Sequence, residues 1–120
     1  MKNQSLPHDH GYNEEKVAQH MPTENEIAGV SEAMKQLGDP SRLRIFWLLC
    51  HCEECVLNIA ALVNMSSPAV SHHLKLLKSS GLIVSRRGGK EMYYRTADTE
   101  LAQVLHHTIE KLGKITCPES

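Results

Sequence analysis

The stretch that decides the fold is SSPAVSHHLKLLK, residues 66–78. Its pattern predicts a short amphipathic helix. Ser66 or Ser67 can cap the first turn, and Pro68 suits the start of a helix because its missing N–H has no helical partner there. Apolar residues recur at helical spacing and predict one buried face: Val70, Leu74 and Leu77.

The other faces of this helix carry small or basic side chains. Hydroxyl, imidazole and ammonium groups can donate hydrogen bonds to DNA base edges and phosphates. The candidate DNA contacts are therefore Ser67, Ser71, His72 and Lys75. An apolar segment at residues 59–63 precedes the helix, and Asn64-Met65 can form the turn between the two. A helix, a tight turn and a second helix make the helix-turn-helix pattern.

Two strand-like runs follow the helix, at residues 82–87 and 90–95, on either side of Gly88-Gly89. Two glycines between such runs favour a tight hairpin turn. Basic side chains near the tip are expected to contact DNA beside the groove: Arg86, Arg87 and Lys90. The predicted fold class is mainly α with a small β-hairpin wing, a winged helix-turn-helix.

Charge is distributed unevenly along the chain. The formal net charge of the 120 residues is −1. Residues 66–95 contain six Lys or Arg and one Glu, a local charge of +5, whereas the remainder contains seven basic and thirteen acidic residues, or −6. Phosphate binding needs only a local basic patch because counterion release is local. Double-stranded DNA is therefore the expected partner.

Helical patterns at residues 23–37 and 98–113 flank this central part. Thr23 and Glu26 fit a capping box at the start of the first. One small domain hardly needs both helices for its core, so we expect them to form the interface of a homodimer. A two-fold dimer places its recognition helices about 34 Å apart, one DNA turn. In a further helix at residues 41–49, three side chains are expected to face the core: Leu43, Phe46 and Trp47.

The expected organisation is a flexible, His-containing arm at residues 1–22, a winged domain at 23–113 and a tail at 114–120. No run approaches the roughly 20 apolar residues of a membrane span. The N-terminus is polar and His-rich, unlike a signal peptide. These features predict a cytoplasmic protein with no membrane partner.

The densest chemistry lies in CHCEEC, residues 50–55. In a chain of this kind, cysteines more often bind metals or undergo redox chemistry than form a disulfide framework. His8 and His10 in the arm fit either a metal-binding composition or an unstructured tail. The sequence has no zinc-hydrolase motif, phosphate loop or nucleophile elbow, so we do not expect an enzyme.

The chain resembles the ArsR/SmtB family of bacterial metal-sensing repressors over about residues 24–112. The matching segments, in order, are LGDPSRLRI at 37–45, CV at 55–56, SSPAVSHHLKLL at 66–77, GLI at 81–83 and RRGGK at 86–90, running into Tyr93-Tyr94. The resemblance implies a homodimeric repressor that binds an operator and releases it when an inducer binds. It also implies one of two metal sites, at a cysteine near the helix-turn-helix with arm ligands, or along the last helix.

The residues present favour the cysteine site. The family's helix-opening cysteine is matched by Cys55, whereas Lys111 and Lys114 fall where the last-helix site has histidines. Lysine is a poor ligand because its amine is protonated. His106 and His107 point about 100° apart and are not obvious substitutes. A thiophilic inducer, namely zinc, cadmium, lead or arsenite, is therefore expected to bind Cys50, Cys52, Cys55, His8 and His10.

The same cysteines allow a second reading, a thiol-based redox or persulfide-sensing repressor of the same fold. Reactive thiols need a lowered pKa, which Cys55 can gain near a helix N-terminus. Glu53 and Glu54 oppose it, because nearby negative charge raises a thiol pKa. The sequence alone leaves both readings open.

Overall fold

A computed structural model describes residues 6–116 of the chain. Its elements are α1 (Glu14–Gln19), α2 (Glu24–Leu37), α3 (Pro40–His51), β1 (Glu54–Cys55), α4 (Val56–Val63), α5 (Ser67–Ser79), β2 (Ile83–Gly88), β3 (Glu91–Thr96) and α6 (Glu100–Thr116). The chain divides into two compact units, Met1–Ser31 and Glu32–Ser120. Within the described residues, no helix combines the length and the apolar character needed to cross a bilayer.

Local capping defines where α1 and α2 begin. The short helix α1 lies within the segment for which the sequence predicts a flexible arm; the Asn13 side chain accepts a hydrogen bond from the Lys16 N–H at 3.2 Å. At the start of α2, the Thr23 N–H donates to Glu26 Oε1 at 2.8 Å. The Glu26 N–H donates to Thr23 Oγ1 at 3.2 Å in return. This reciprocal pair is the predicted capping box.

The core of the second unit lies where α3, α4, α5 and the hairpin meet. The predicted stripe of α5 is buried there: Val70, Leu74 and Leu77. It packs with Ile45, Phe46, Leu49, Ile59, Val63, Leu82 and Ile83. One face of α5 is thereby fixed to the core, and its other faces remain available at the surface.

Trp47 differs from the sequence prediction, which places it in the core. It is 41% exposed. Phe46 and Leu49 are buried on the core side of α3, and consecutive helical residues point about 100° apart, so Trp47 lies on another face. There its indole N–H donates to Glu110 Oε2 of α6 at 3.0 Å. Of the other two residues predicted to face the core, Phe46 is buried and Leu43 is half-buried.

The turn of the helix-turn-helix contains a residue in the left-handed region. Asn64 caps the C-terminus of α4 with φ of 57°, a conformation that Asn tolerates better than most residues. Ser66 then caps α5, accepting a hydrogen bond from the Ala69 N–H at 3.3 Å. These two caps set the direction in which α5 leaves α4.

The sheet contains a strand that the sequence does not predict. Its order is β1-β3-β2. Glu54 pairs with Tyr94 and Cys55 pairs with Tyr93, both antiparallel. A two-residue strand is too short to show the alternation by which strands are recognised. This strand attaches residues 50–55, the cysteine segment, to the wing.

The hairpin turn lies one residue later than predicted. Gly88 pairs with Glu91, so Gly89 and Lys90 form the turn. Gly89 has φ of +66°, as in a type II′ turn, where glycine is favoured at the first central position. Gly88 packs against an aromatic ring, since a Cβ there would lie 2.9 Å from Tyr93 Cε2.

The last helix, α6, continues beyond the predicted end at residue 113. Thr99 Oγ1 accepts a hydrogen bond from the Ala102 N–H at 3.2 Å and caps its start. One side of α6 packs on the core through Ala102, Leu105 and Ile109. Exposed apolar side chains also lie on α6, including Leu101 and Val104.

Candidate nucleic-acid interface and cysteine segment

The surface of α5 carries the predicted DNA contacts. Ser71, His72 and Lys75 are exposed, and Ser67 is half-buried in the first turn. They lie off the buried stripe, because that stripe faces the core. A helix anchored on one side with hydroxyl, imidazole and ammonium groups on the other can enter a major groove and reach bases and phosphates.

The wing lies beside this helix and is joined to it. Lys78 Nζ of α5 donates to Ser85 Oγ of β2 at 2.7 Å. Arg87 and Lys90 are exposed on the wing, with Lys90 in the turn. Arg87 Nη1 lies 3.7 Å from Met92 Sδ, a weak contact that leaves its other donors available. Exposed cations beside a helix of this kind can contact phosphates next to a groove.

Arg86 is engaged within the chain, unlike the other two wing cations. Its Nε and Nη2 donate to the two carboxylate oxygens of Glu53 at 2.9 and 2.8 Å. The guanidinium carbon also lies 5.0 Å from the centroid of the Tyr93 ring. The hydrogen bonds from Arg86 hold the pKa of Glu53 below its ordinary value. Arg86, predicted from the sequence as a DNA contact, thus connects the wing to the cysteine segment, and no sequence pattern indicates that connection.

The three predicted cysteine ligands occupy different local environments. Cys50 is half-buried near the end of α3 and its sulfur accepts a hydrogen bond from Thr96 Oγ1 at 3.2 Å. Cys52 caps α3 and its Sγ donates to the Leu48 carbonyl at 3.5 Å. Cys55 is buried in β1. Among the described residues, these thiols do not form a group whose sulfur atoms converge on one point.

The surroundings of two of these thiols disfavour the thiolate by raising its pKa. Burial raises the pKa of Cys50, and the Glu110 carboxylate adds to that effect, against a smaller opposing effect of the Thr96 hydrogen bond. Burial also raises the pKa of Cys52, reinforced by the charge of Glu54. A raised pKa lowers the thiolate fraction near neutral pH and so lowers reactivity toward oxidants.

The two predicted arm ligands lie in the first unit. His8 and His10 are exposed, and their ring centroids are 5.8 Å apart in a stacked arrangement. Between them, the Asp9 side chain accepts a hydrogen bond from the Gly11 N–H at 2.9 Å. Because both histidine side chains are exposed, their imidazoles are accessible to a ligand.

Another cluster of metal-ligating side chains is absent from the sequence prediction. His51 of α3 meets His106 and Glu110 of α6. The i, i+4 spacing of the last two was a visible signal that they share a helix face. The contact with His51 was not visible, because it depends on how α6 packs against α3.

Comparison with known proteins agrees with the fold. The family model described as the bacterial regulatory protein arsR family matches residues 39–85, which contain the helix-turn-helix. The HTH-type transcriptional repressor SmtB of Mycobacterium tuberculosis strain CDC 1551 / Oshkosh is 30% identical over 93 residues, covering 78% of this chain and 69% of that protein. The cadmium resistance transcriptional regulatory protein CadC homolog of Staphylococcus aureus is 35% identical over 77 residues. The match covers 63% of this chain and 64% of that protein.

A solved structure resembles the chain at similar identity. The homodimeric winged helix-turn-helix DNA-binding domain Mb0332 of Mycobacterium bovis, a possible ArsR-family regulator, superposes with a TM-score of 0.66. Its identity is 30%, over 88% of this chain and 91% of that one. The predicted fold class is therefore confirmed. For one curated relative, the SmtB homolog of Synechocystis, this chain spans 63% of the length. Because the matches include the helix-turn-helix and extend well beyond it, the chain belongs to the arsR family of bacterial regulatory proteins.

Proposed function

We propose that the chain is a metal-responsive transcriptional repressor that binds double-stranded operator DNA in the cytoplasm as a homodimer. A thiophilic ion at the cysteine segment releases it from DNA. The observation that carries DNA binding is the exposed polar surface of α5 beside the basic wing, formed by Ser71, His72, Lys75, Arg87 and Lys90. The repressor name of the M. tuberculosis relative supports the direction of regulation.

Dimerisation is supported by exposed apolar side chains on the terminal helices. Val30 and Met34 are exposed on α2, and Leu101 and Val104 on α6. Burying such side chains between two copies removes apolar area from water, which stabilises an interface. The homodimeric M. bovis domain shows that a closely similar fold associates in pairs.

The cysteine segment supplies ligands suited to soft ions. Cys50, Cys52 and Cys55 offer thiolates once deprotonated, and His8 and His10 offer imidazoles from the arm; this set suits zinc, cadmium, lead or arsenite. The cadmium-resistance name of the S. aureus relative supports an ion of this class. Because the sulfur atoms of these three thiols do not converge within residues 6–116, ion binding requires the segment to rearrange or a second chain to add ligands.

Such a rearrangement has a direct route to the DNA-binding surface. Cys55 lies in β1, which is paired with β3 of the wing, and Glu53 holds Arg86 of β2 through two hydrogen bonds. Thr96, at the end of β3, contacts the Cys50 sulfur. Moving the cysteine segment therefore moves or frees wing residues. A coupling of about 1–3 kcal/mol is enough to change DNA affinity 5- to 150-fold.

The redox alternative is less well supported. It needs reactive thiolates, but burial raises the pKa of both Cys50 and Cys52. A raised pKa does not prevent metal binding in the same way, because a bound cation itself favours the deprotonated ligand. The ion-responsive function therefore fits these two cysteines better.

Replacing Lys75 by Ala should weaken DNA binding by about the same factor on every duplex. Lys75 is exposed on α5, where its ammonium can neutralise one phosphate. Losing one phosphate contact in each subunit of the homodimer should reduce the slope of log affinity against log salt by about 1.8. Fluorescence anisotropy of a labelled duplex at several salt concentrations measures both quantities.

Lys35→Ala is the matched control, because it removes the same charge from an exposed position on α2. It should leave the salt slope unchanged. If Lys75→Ala binds DNA with the wild-type affinity and salt slope, α5 is not the DNA-contacting helix and the proposed function is wrong.

A further inference from the structure

Three potential metal ligands from two helices meet at one point of the second unit. His51 Nε2 lies 3.0 Å from Glu110 Oε2. His106 Nε2 lies 3.2 Å from the same oxygen and 3.1 Å from His51 Nε2. Among the described residues, this is the group in which three or more such donor atoms converge.

The triangle formed by these atoms has the dimensions of a coordination site. In a tetrahedral zinc site with nitrogen and oxygen ligands at about 2.0–2.1 Å, neighbouring donor atoms are about 3.3 Å apart. The three observed separations, 3.0, 3.1 and 3.2 Å, are slightly shorter than that edge. A small outward movement of each side chain is enough to admit an ion. The three side chains would fill three of its four coordination positions and leave the fourth open.

Hydrogen bonds to Glu110 do not account for the close approach of the two histidines. An imidazole nitrogen carries either a proton or a lone pair. If both Nε2 atoms are protonated, both can donate to Glu110 Oε2, but their 3.1 Å separation is then a contact between two donors with no hydrogen bond. If one is unprotonated, it can accept from the other, but its lone pair then lies close to the carboxylate oxygen. A cation between the three atoms attracts all of them when both Nε2 atoms are unprotonated.

Trp47 orients the carboxylate from outside the triangle. Its indole N–H donates to Glu110 Oε2 at 3.0 Å, and its ring centroid lies 4.3 Å from that of His51. Metal sites commonly have such an outer hydrogen bond, which fixes the orientation of a ligand. This contact also explains why a tryptophan of α3 lies on the surface.

An ion can reach the triangle from solvent. The exposed fractions of the side chains are 43% for His51, 30% for His106 and 37% for Glu110. A site closed on one side by two helices and open on the other can exchange its ion and hold water as a fourth ligand.

We propose that His51, His106 and Glu110 of one chain bind a single divalent transition-metal ion of the zinc class. Two imidazoles and a carboxylate suit zinc, cobalt and nickel better than the soft ions that thiolates favour. The site uses none of the cysteines and no residue of the arm. Its existence therefore does not depend on the proposed function. An ion there joins α6 to the end of α3, at a residue that lies between Cys50 and Cys52.

Cobalt titration of the reduced full-length protein, followed by absorption spectroscopy, tests this site. Co²⁺ bound by nitrogen and oxygen gives ligand-field bands without the thiolate-to-metal charge-transfer band that a cysteine ligand adds. We expect these ligand-field bands both in the wild type and in Cys55→Ser, and in the wild type a charge-transfer band joins them if Co²⁺ also fills the proposed cysteine site. His106→Gln and Glu110→Gln should each weaken the corresponding affinity by about 100-fold, and Trp47→Phe by about 10-fold.

His107→Gln is the matched control, because it removes the neighbouring exposed imidazole of the same helix. It should bind Co²⁺ as the wild type does. Circular dichroism of each metal-free variant should match the wild type, because the substituted side chains are partly exposed. The proposed site is wrong if His106→Gln and Glu110→Gln retain wild-type affinity, or if all bound Co²⁺ shows the charge-transfer band and is lost in Cys55→Ser. The second result would leave the proposed cysteine site intact.

Discussion

A Val104→Asp variant is expected to be monomeric at micromolar concentration and to bind operator DNA about 10²- to 10⁴-fold more weakly. Val104 is 53% exposed on α6. In a dimer that covers this face, the new carboxylate would lose its hydration without gaining a partner. Each monomer would then bind one half-site with a single recognition helix, without the gain in affinity that a linked second recognition helix gives. Analytical ultracentrifugation gives the association state, and fluorescence anisotropy gives the DNA affinity.

Gln103→Glu is the control for added charge on the same helix. Gln103 is exposed and points about 100° away from Val104 around α6. This variant should remain dimeric and bind DNA as the wild type does. A dimeric Val104→Asp protein with undiminished DNA affinity would show that α6 does not form the dimer interface.

A Leu74→Ala variant is expected to lose about 2–5 kcal/mol of folding free energy. Leu74 is 2% exposed in the buried stripe of α5, so truncation removes buried methyl groups and leaves a cavity. A domain of this size has a total stability of only about 5–15 kcal/mol. Urea denaturation followed by circular dichroism, at one fixed protein concentration, measures the change.

Lys75→Ala provides the comparison for this stability effect. The two residues are adjacent, but Lys75 is exposed, and surface substitutions usually change stability by less than about 0.5 kcal/mol. We therefore expect Leu74→Ala to lower the free energy of unfolding, and Lys75→Ala to lower the DNA affinity while leaving the stability nearly unchanged. Equal urea midpoints for wild type and Leu74→Ala would contradict the described core.

Local features of this fold could be predicted from the sequence because their causes are local. The capping box of Thr23 and Glu26 and the buried stripe of α5 follow from spacing within one helix. The hairpin follows from its glycines, although the turn lies one residue later than predicted.

Membership of the arsR family of regulatory proteins also confirms the expectation that the chain is not an enzyme.

Contacts between distant segments could not be predicted in the same way. The pairing of Glu53 with Arg86 joins residues separated by a helix-turn-helix, and no periodicity records it. The surface position of Trp47 and the meeting of His51 with His106 both depend on where α6 lies against α3. The candidate metal chemistry was therefore predicted at the cysteines, whose clustering is visible in the sequence, and missed at the histidines.

Release of operator DNA by an ion tests the proposed ion-responsive repression most directly. A labelled duplex, selected by the reduced protein from random DNA, would be followed by fluorescence anisotropy during titration with Cd²⁺, Zn²⁺, Pb²⁺ and arsenite. We expect that one of these ions lowers the DNA affinity of the wild type about 5- to 150-fold, and that Cys55→Ser binds the duplex normally but is not released. Release of Cys55→Ser at the same ion concentration as the wild type, or no release of the wild type by any of these ions, would contradict it.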